Sequence, residues 1–196
     1  MPPERRYAAG DLRRFLTAVD ARLAAPATIT LLGGSAIALY GVAAATMDID
    51  TWETDLAPLQ TAIAGARAAT GLDVSVVPAA VADVPYNAGD RLEREAATWT
   101  RLRVFKLEPH DLALSKAVRA NDHDLVGIEE LHRVVYLDRD VLISRYLEEM
   151  DHAIGHRPRL DANFVLLIER LFGEVEAERV EEMVRSYRKR RPTIPR

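Results

Sequence analysis

The 196-residue sequence predicts an α+β (mixed α/β) fold: a small mixed sheet flanked by helices, followed by a helical C-terminal region. Short β-branched and aliphatic runs alternate with amphipathic helical spacing up to residue 108. Beyond Pro109 every segment has helical spacing. A glycine pair closes the first apolar run, where a strand must turn sharply into a helix. The expected organisation is therefore a core over residues 1–108 and a helical region over 109–196 packed on it.

Each element has its own signal. Leu12, Phe15, Leu16, Val19 and Leu23 recur at helical spacing behind Asp11, a good N-cap, and Pro26 stops that helix. "TITLLGG" is β-branched and aliphatic and ends in glycine, which suits a buried strand over 28–32. Ser35 to Tyr40 reads as a short helix closed by Gly41. "MDIDTW" alternates as a strand does, with Asp48, Asp50 and Trp52 on one side. Thr54 to Thr70 is a second long helix, with Pro58 in its first turn and Gly71 at its stop. "LDVSVV", residues 72–77, is a third strand with Asp73 and Ser75 on one face. Residues 78–100 read as a long loop, and "TRLRVFKL" as a fourth strand. Helices are expected over roughly 110–120, 124–136, 139–152, 161–172 and 175–189.

Composition narrows the function. Hydrophobic residues make up 48% and charged residues 29%, which fits a folded chain rather than a disordered one. A net charge of −4 gives no global attraction to nucleic acid or an anionic membrane, so any such contact is local. With no cysteine, thiolate metal sites and cysteine nucleophiles are excluded. The charged start "MPPERRYAAG" lacks a secretory core, and the run Ile29 to Ile49 is broken by glycines and Asp48. A cytoplasmic protein without membrane contact is the expectation.

Asp48 and Asp50, two apart on a strand, project from one face, where paired carboxylates suit a hard divalent cation such as Mg2+ (or Mn2+). Such an ion takes its remaining ligands from water and substrate phosphates. Gly33 and Gly34 let backbone amides approach a phosphate, and Ser35 adds a hydroxyl at a helix start. Each signal alone also has a plain reading, as a turn or as the wet face of an edge strand. No dinucleotide-fold fingerprint, P-loop or nucleophile elbow competes with them.

Gly33-Gly34-Ser35 followed by Asp48-Ile49-Asp50 resembles the nucleotidyltransferase superfamily of DNA polymerase beta type. Residues 105–131, "FKLEPHDLALSKAVRANDHDLVGIEEL", resemble the helical signature of AbiEii-like nucleotidyltransferases of abortive-infection and toxin-antitoxin systems, with Lys116 and Asp124 at the matching spacing. Gly127 departs from that pattern, which commonly has a second aspartate there. The resemblance implies transfer of a nucleoside monophosphate from an NTP to a hydroxyl acceptor with Mg2+. Asp48, Asp50 and a third carboxylate would hold the metal, and Lys116 and Asp124 would join the catalytic set. It further implies an RNA acceptor and a cognate antitoxin. For the third carboxylate the sequence offers Asp73, with Asp83 and Asp90 as alternatives.

Other readings stay open. The same fold serves as an inactive binding or regulatory module, or as a small-molecule, antibiotic-type nucleotidyltransferase. Lys116 could instead snorkel to solvent and Asp124 could cap a helix. The five histidines show no paired metal spacing and read as surface residues, while Trp52 and Trp99 read as core or pocket walls. The basic tail "RSYRKRRPTIPR" is either a solvated helix end or a contact for RNA phosphates.

Overall fold

The structure is a computed structural model that describes residues 6–43, 46–79 and 83–190. It divides into two compact units, Met1–Ala82 with Gly89–Glu108, and Asp83–Ala88 with Pro109–Arg196. The fold is mixed α+β as the sequence predicts, and no helix among the described residues is long and apolar enough to cross a membrane.

In the first unit, helix α1 (Ala9–Asp20) precedes strand β1 (Ala27–Leu32), helix α2 (Gly33–Leu39) and strand β2 (Asp48–Thr51). Helix α3 (Gln60–Thr70) then leads to strands β3 (Ser75–Pro78), β4 (Glu93–Arg94) and β5 (Leu102–Lys106). The sheet order is β3-β2-β1-β5-β4. β1 is parallel to β5 and antiparallel to β2, while β2 is parallel to β3. Ile29, Leu31, Ile49, Leu102 and Val104 form a continuous buried sheet face, and α1 packs on α3 through buried Leu12, Phe15, Ile63 and Ala66 among others. Asp20, at the end of α1, accepts backbone hydrogen bonds from Arg101 and Leu102, both at 2.7 Å, and so fixes where β5 begins. Burial pushes its carboxyl up, but these amides outweigh that and hold it below the usual carboxylate range.

Several boundaries differ from expectation. Helix α1 begins at Ala9, and Asp11 lies in its first turn instead of capping it. The segment from Thr54 is not helical before a short 3-10 turn over Ala57–Leu59, because the Thr54 hydroxyl accepts the Thr30 amide and is held against β1. β3 starts at Ser75, three residues later than the pattern suggests. The Arg67 side chain donates to the Val74 carbonyl at 2.9 Å and ties that backbone to α3. Within the expected loop, Glu93 and Arg94 form an edge strand on β5, too short to show a periodicity. Residues 80–82 lie outside the described residues.

The second unit is helical: α4 (Pro109–Ala117), α5 (Asp122–Val135), α6 (Arg139–Glu149), α7 (Arg157–Phe172) and α8 (Glu174–Arg190). Its core gathers Leu125, Ile128, Leu142, Phe164, Leu167, Ile168 and Val180, and the Tyr146 ring stacks on Phe164 with centroids 4.0 Å apart. α7 begins at Arg157, earlier than predicted, with Pro158 in its first turn where the missing amide costs nothing.

Candidate active site

β2 alternates between half-buried Asp48 and Asp50 and buried Ile49 and Thr51, so both carboxylates share the face opposite the helix-covered core. Leu32 stands opposite Asp50 in the β1–β2 pair, and the next residue, Gly33, turns the chain at φ 64°. A Cβ built on Gly33 would lie 2.7 Å from Asp50 Oδ2. Any other residue at position 33 would therefore meet both a strained backbone and the carboxylate. The glycine and the aspartate are thus two halves of one arrangement.

Gly34 is constrained from the other side. A Cβ there would lie 2.9 Å from the hydroxyl oxygen of Thr46, which itself donates to the Asp48 carbonyl at 3.0 Å. Thr46 also exchanges two backbone hydrogen bonds with Tyr7. It thereby joins the N-terminal segment, the α2 turn and the approach to β2. Sequence reasoning missed Thr46; its signal was a hydroxyl residue one step earlier in the alternation of Asp48 and Asp50. Ser35 is buried and its hydroxyl donates to the Leu32 carbonyl at 2.9 Å, which closes the turn. Trp52 directly follows β2 and is half-buried, with its ring 3.8 Å from where a Cβ on Gly89 would stand. Trp99 is half-buried too and donates to Thr17 Oγ1 at 3.0 Å.

The third carboxylate is not gathered with the first two. In the parallel β2–β3 ladder Ser75 stands beside Asp48 and Val77 beside Asp50. Neither β1 nor β3 contains an acidic residue. Asp73 precedes β3, its side chain is 92% exposed, and it lies 3.8 Å from Arg67 Nε. Asp83 accepts the Ile154 amide in the second unit, and Asp90 is exposed on the turn over Ala88–Arg91. Among the described residues no three His, Asp or Glu side chains are placed to hold a metal ion.

Lys116 and Asp124 lie in the second unit, and they meet: Lys116 Nζ is 2.5 Å from Asp124 Oδ1, with both side chains buried. Arg119 Nε adds a contact at 3.2 Å. Burial pushes the Asp124 carboxyl up, yet the two cations hold it below the usual range. Lys116 therefore does not snorkel to solvent. Nor does Asp124 cap α5, since Asn121 does so by accepting the Asp124 amide at 2.8 Å.

Two histidines depart from the surface reading. His110 Nε2 and His132 Nδ1 accept the amides of Asp138 and Leu137, the link between α5 and α6. Burial, and then the neighbouring His110, lower the pKa of His132. On α8, Arg188 pairs with Asp151 and Asp161, and Arg185 with Glu181. Residues 191–196 of the basic tail lie outside the described residues.

No curated protein and no solved structure matches the chain. Residues 11–188 match the family described as nucleotidyltransferase of unknown function (DUF6036), and the chain belongs to that family.

Proposed function

We propose that this nucleotidyltransferase moves a nucleoside monophosphate from an NTP to a hydroxyl acceptor at the face formed by Gly33, Asp48 and Asp50. The observation that carries this reading is the fit of Gly33 against Asp50, which makes the glycine turn and the carboxylate strand a single site. In the reaction the acceptor oxygen bonds to the α-phosphorus, the bond to the β-phosphate oxygen breaks, and pyrophosphate leaves. The acceptor proton passes to solvent or to a carboxylate.

Two half-buried carboxylates on one strand face are a hard-oxygen donor set that suits Mg2+ or Mn2+. Asp48 and Asp50 would hold such an ion, which neutralises triphosphate charge and stabilises the charge that develops during transfer. The protein's own part is placement. Gly33 leaves room for the Asp50 carboxylate, Thr46 fixes the Asp48 backbone, and Ser35 holds the turn through Leu32. Held by packing rather than by the substrate, these groups lose little entropy on binding.

Its resemblance to AbiEii-like proteins takes the reading further, to an RNA acceptor, a toxin role and an antitoxin partner. The spacing of Lys116 and Asp124 supports that extension. A second reading, a binding module that has lost transfer, is favoured by one observation: neither strand flanking β2 carries an acid.

The test is to incubate the protein with Mg2+ and NTPs labelled at the α- or the γ-phosphate, with RNA and with small hydroxyl acceptors. The proposal expects α-label, and no γ-label, on an acceptor, and none with Asp48→Asn plus Asp50→Asn. NTP binding without label on any acceptor would instead establish the binding module.

A further inference from the structure

Three residues of the flanking strands stand at the level of the carboxylate pair: Leu32 on β1, and Ser75 and Val77 on β3. Ser75 alone of these carries a side-chain oxygen. It is beside Asp48 in the parallel ladder, on the same face, and is exposed where the next residue, Val76, is buried.

The chain itself sets this position. Arg67 donates to the carbonyl of Val74, just before Ser75, at 2.9 Å. Thr51 Oγ1 donates to the Val77 carbonyl at 3.1 Å, so the β3 backbone is tied on both sides of the serine. The other hydroxyls around the glycine turn and β2 are committed to carbonyls: Ser35 to Leu32, Thr46 to Asp48, Thr51 to Val77 and Thr54 to Trp52. The Ser75 hydroxyl makes no hydrogen bond with any of the described residues.

We infer that the Ser75 hydroxyl is the third oxygen donor of the Asp48–Asp50 site, directed at a divalent ion or at one of that ion's waters, a role that rests on reading this face as the place of metal and nucleotide. A hydroxyl has lone pairs to offer a cation and a proton to offer a carboxylate, so it serves beside Asp48 without adding charge. Oxygens about 2 Å from a Mg2+ ion on its opposite sides are about 4 Å apart, close to the spacing of about 4.8 Å between neighbouring strands. Two carboxylates and a neutral oxygen match the charge of one divalent ion. The lack of an acid on β1 and β3 is then a change of donor, not the loss of one.

The experiment titrates the full chain with Mn2+ alone and follows the electron paramagnetic resonance signal of the free ion. Ser75→Ala is expected to weaken Mn2+ binding by about tenfold. Ser75→Thr keeps the hydroxyl, suits a strand and binds as the parent does. Ser75→Asp adds a charged donor and tightens binding by about tenfold or more. Because Ser75 is exposed on an edge strand, all three variants retain the parent's circular dichroism. Asp48→Asn plus Asp50→Asn separates the two levels of the account. If that protein binds Mn2+ as the parent does, the ion lies elsewhere and the reading of the face falls together with the role of Ser75. If it loses Mn2+ while Ser75→Ala binds like the parent, the face stands and the role of Ser75 alone is overturned. A parent that takes up no Mn2+, or a Ser75→Thr protein as weak as Ser75→Ala, overturns that role as well.

Discussion

Two acidic clusters in this protein look alike in the sequence and differ in the structure. Asp48 and Asp50 sit half-buried on one strand face, two like charges brought together by alternation. Asp124 is buried, and Lys116 and Arg119 lie against it. Two carboxylates on one strand face are a donor set that suits a hard cation, whereas a buried ion pair belongs to the fold itself. The first arrangement is what a binding site requires. The second is what an interior requires.

Substitutions sharpen that contrast. The largest effect is expected for Asp50→Asn, a loss of nucleotidyl transfer of about a thousandfold or more, with the circular dichroism of the parent retained. Lys116→Met should do the opposite, lowering unfolding free energy in urea by about 3 kcal/mol because it leaves a buried carboxylate with Arg119 alone. Adding Asp124→Leu should recover most of that loss. Were Lys116→Met to abolish transfer at full stability, Lys116 would belong with the chemistry and the contrast would fail.

Gly33→Ala comes next, at about 1–3 kcal/mol of stability, since it combines a strained φ with a methyl group against Asp50. Smaller still is a pH effect in the second unit. His132 has its folded pKa below 6.5, so the unfolded chain takes up the proton first as pH falls. Its contribution to stability is full above pH 6.5 and is lost as pH falls toward the lowered value. Melting temperatures should decline over that window, and less steeply in His132→Asn, whose amide oxygen can accept the Leu137 amide without titrating. The smallest effect belongs to Asp73→Asn. Exposed and loosely paired with Arg67, it should change stability by less than about 0.5 kcal/mol.

The carboxylate face was legible because alternation and glycine are local signals: Asp48, Ile49 and Asp50 assign their own faces, and Gly33 announces the turn. The helices of the second unit were legible for the same reason, with ends displaced by a few residues. What could not be read depends on contacts distant in the chain. Arg67 holding the Val74 carbonyl delays β3 and leaves Asp73 outside the sheet. Lys116 and Asp124 lie on different helices, and spacing alone does not distinguish a buried pair from two solvated charges. Thr46 gained its role only once Gly34 and Tyr7 were beside it.

The most direct test of the central claim is calorimetric titration of NTP with Mg2+ into the parent and into Asp48→Asn plus Asp50→Asn. If these carboxylates are the site, the parent binds nucleotide in a metal-dependent manner, and the double variant, equally folded by circular dichroism, loses that dependence. Equal metal-dependent binding by both proteins would contradict the account and place the nucleotide elsewhere.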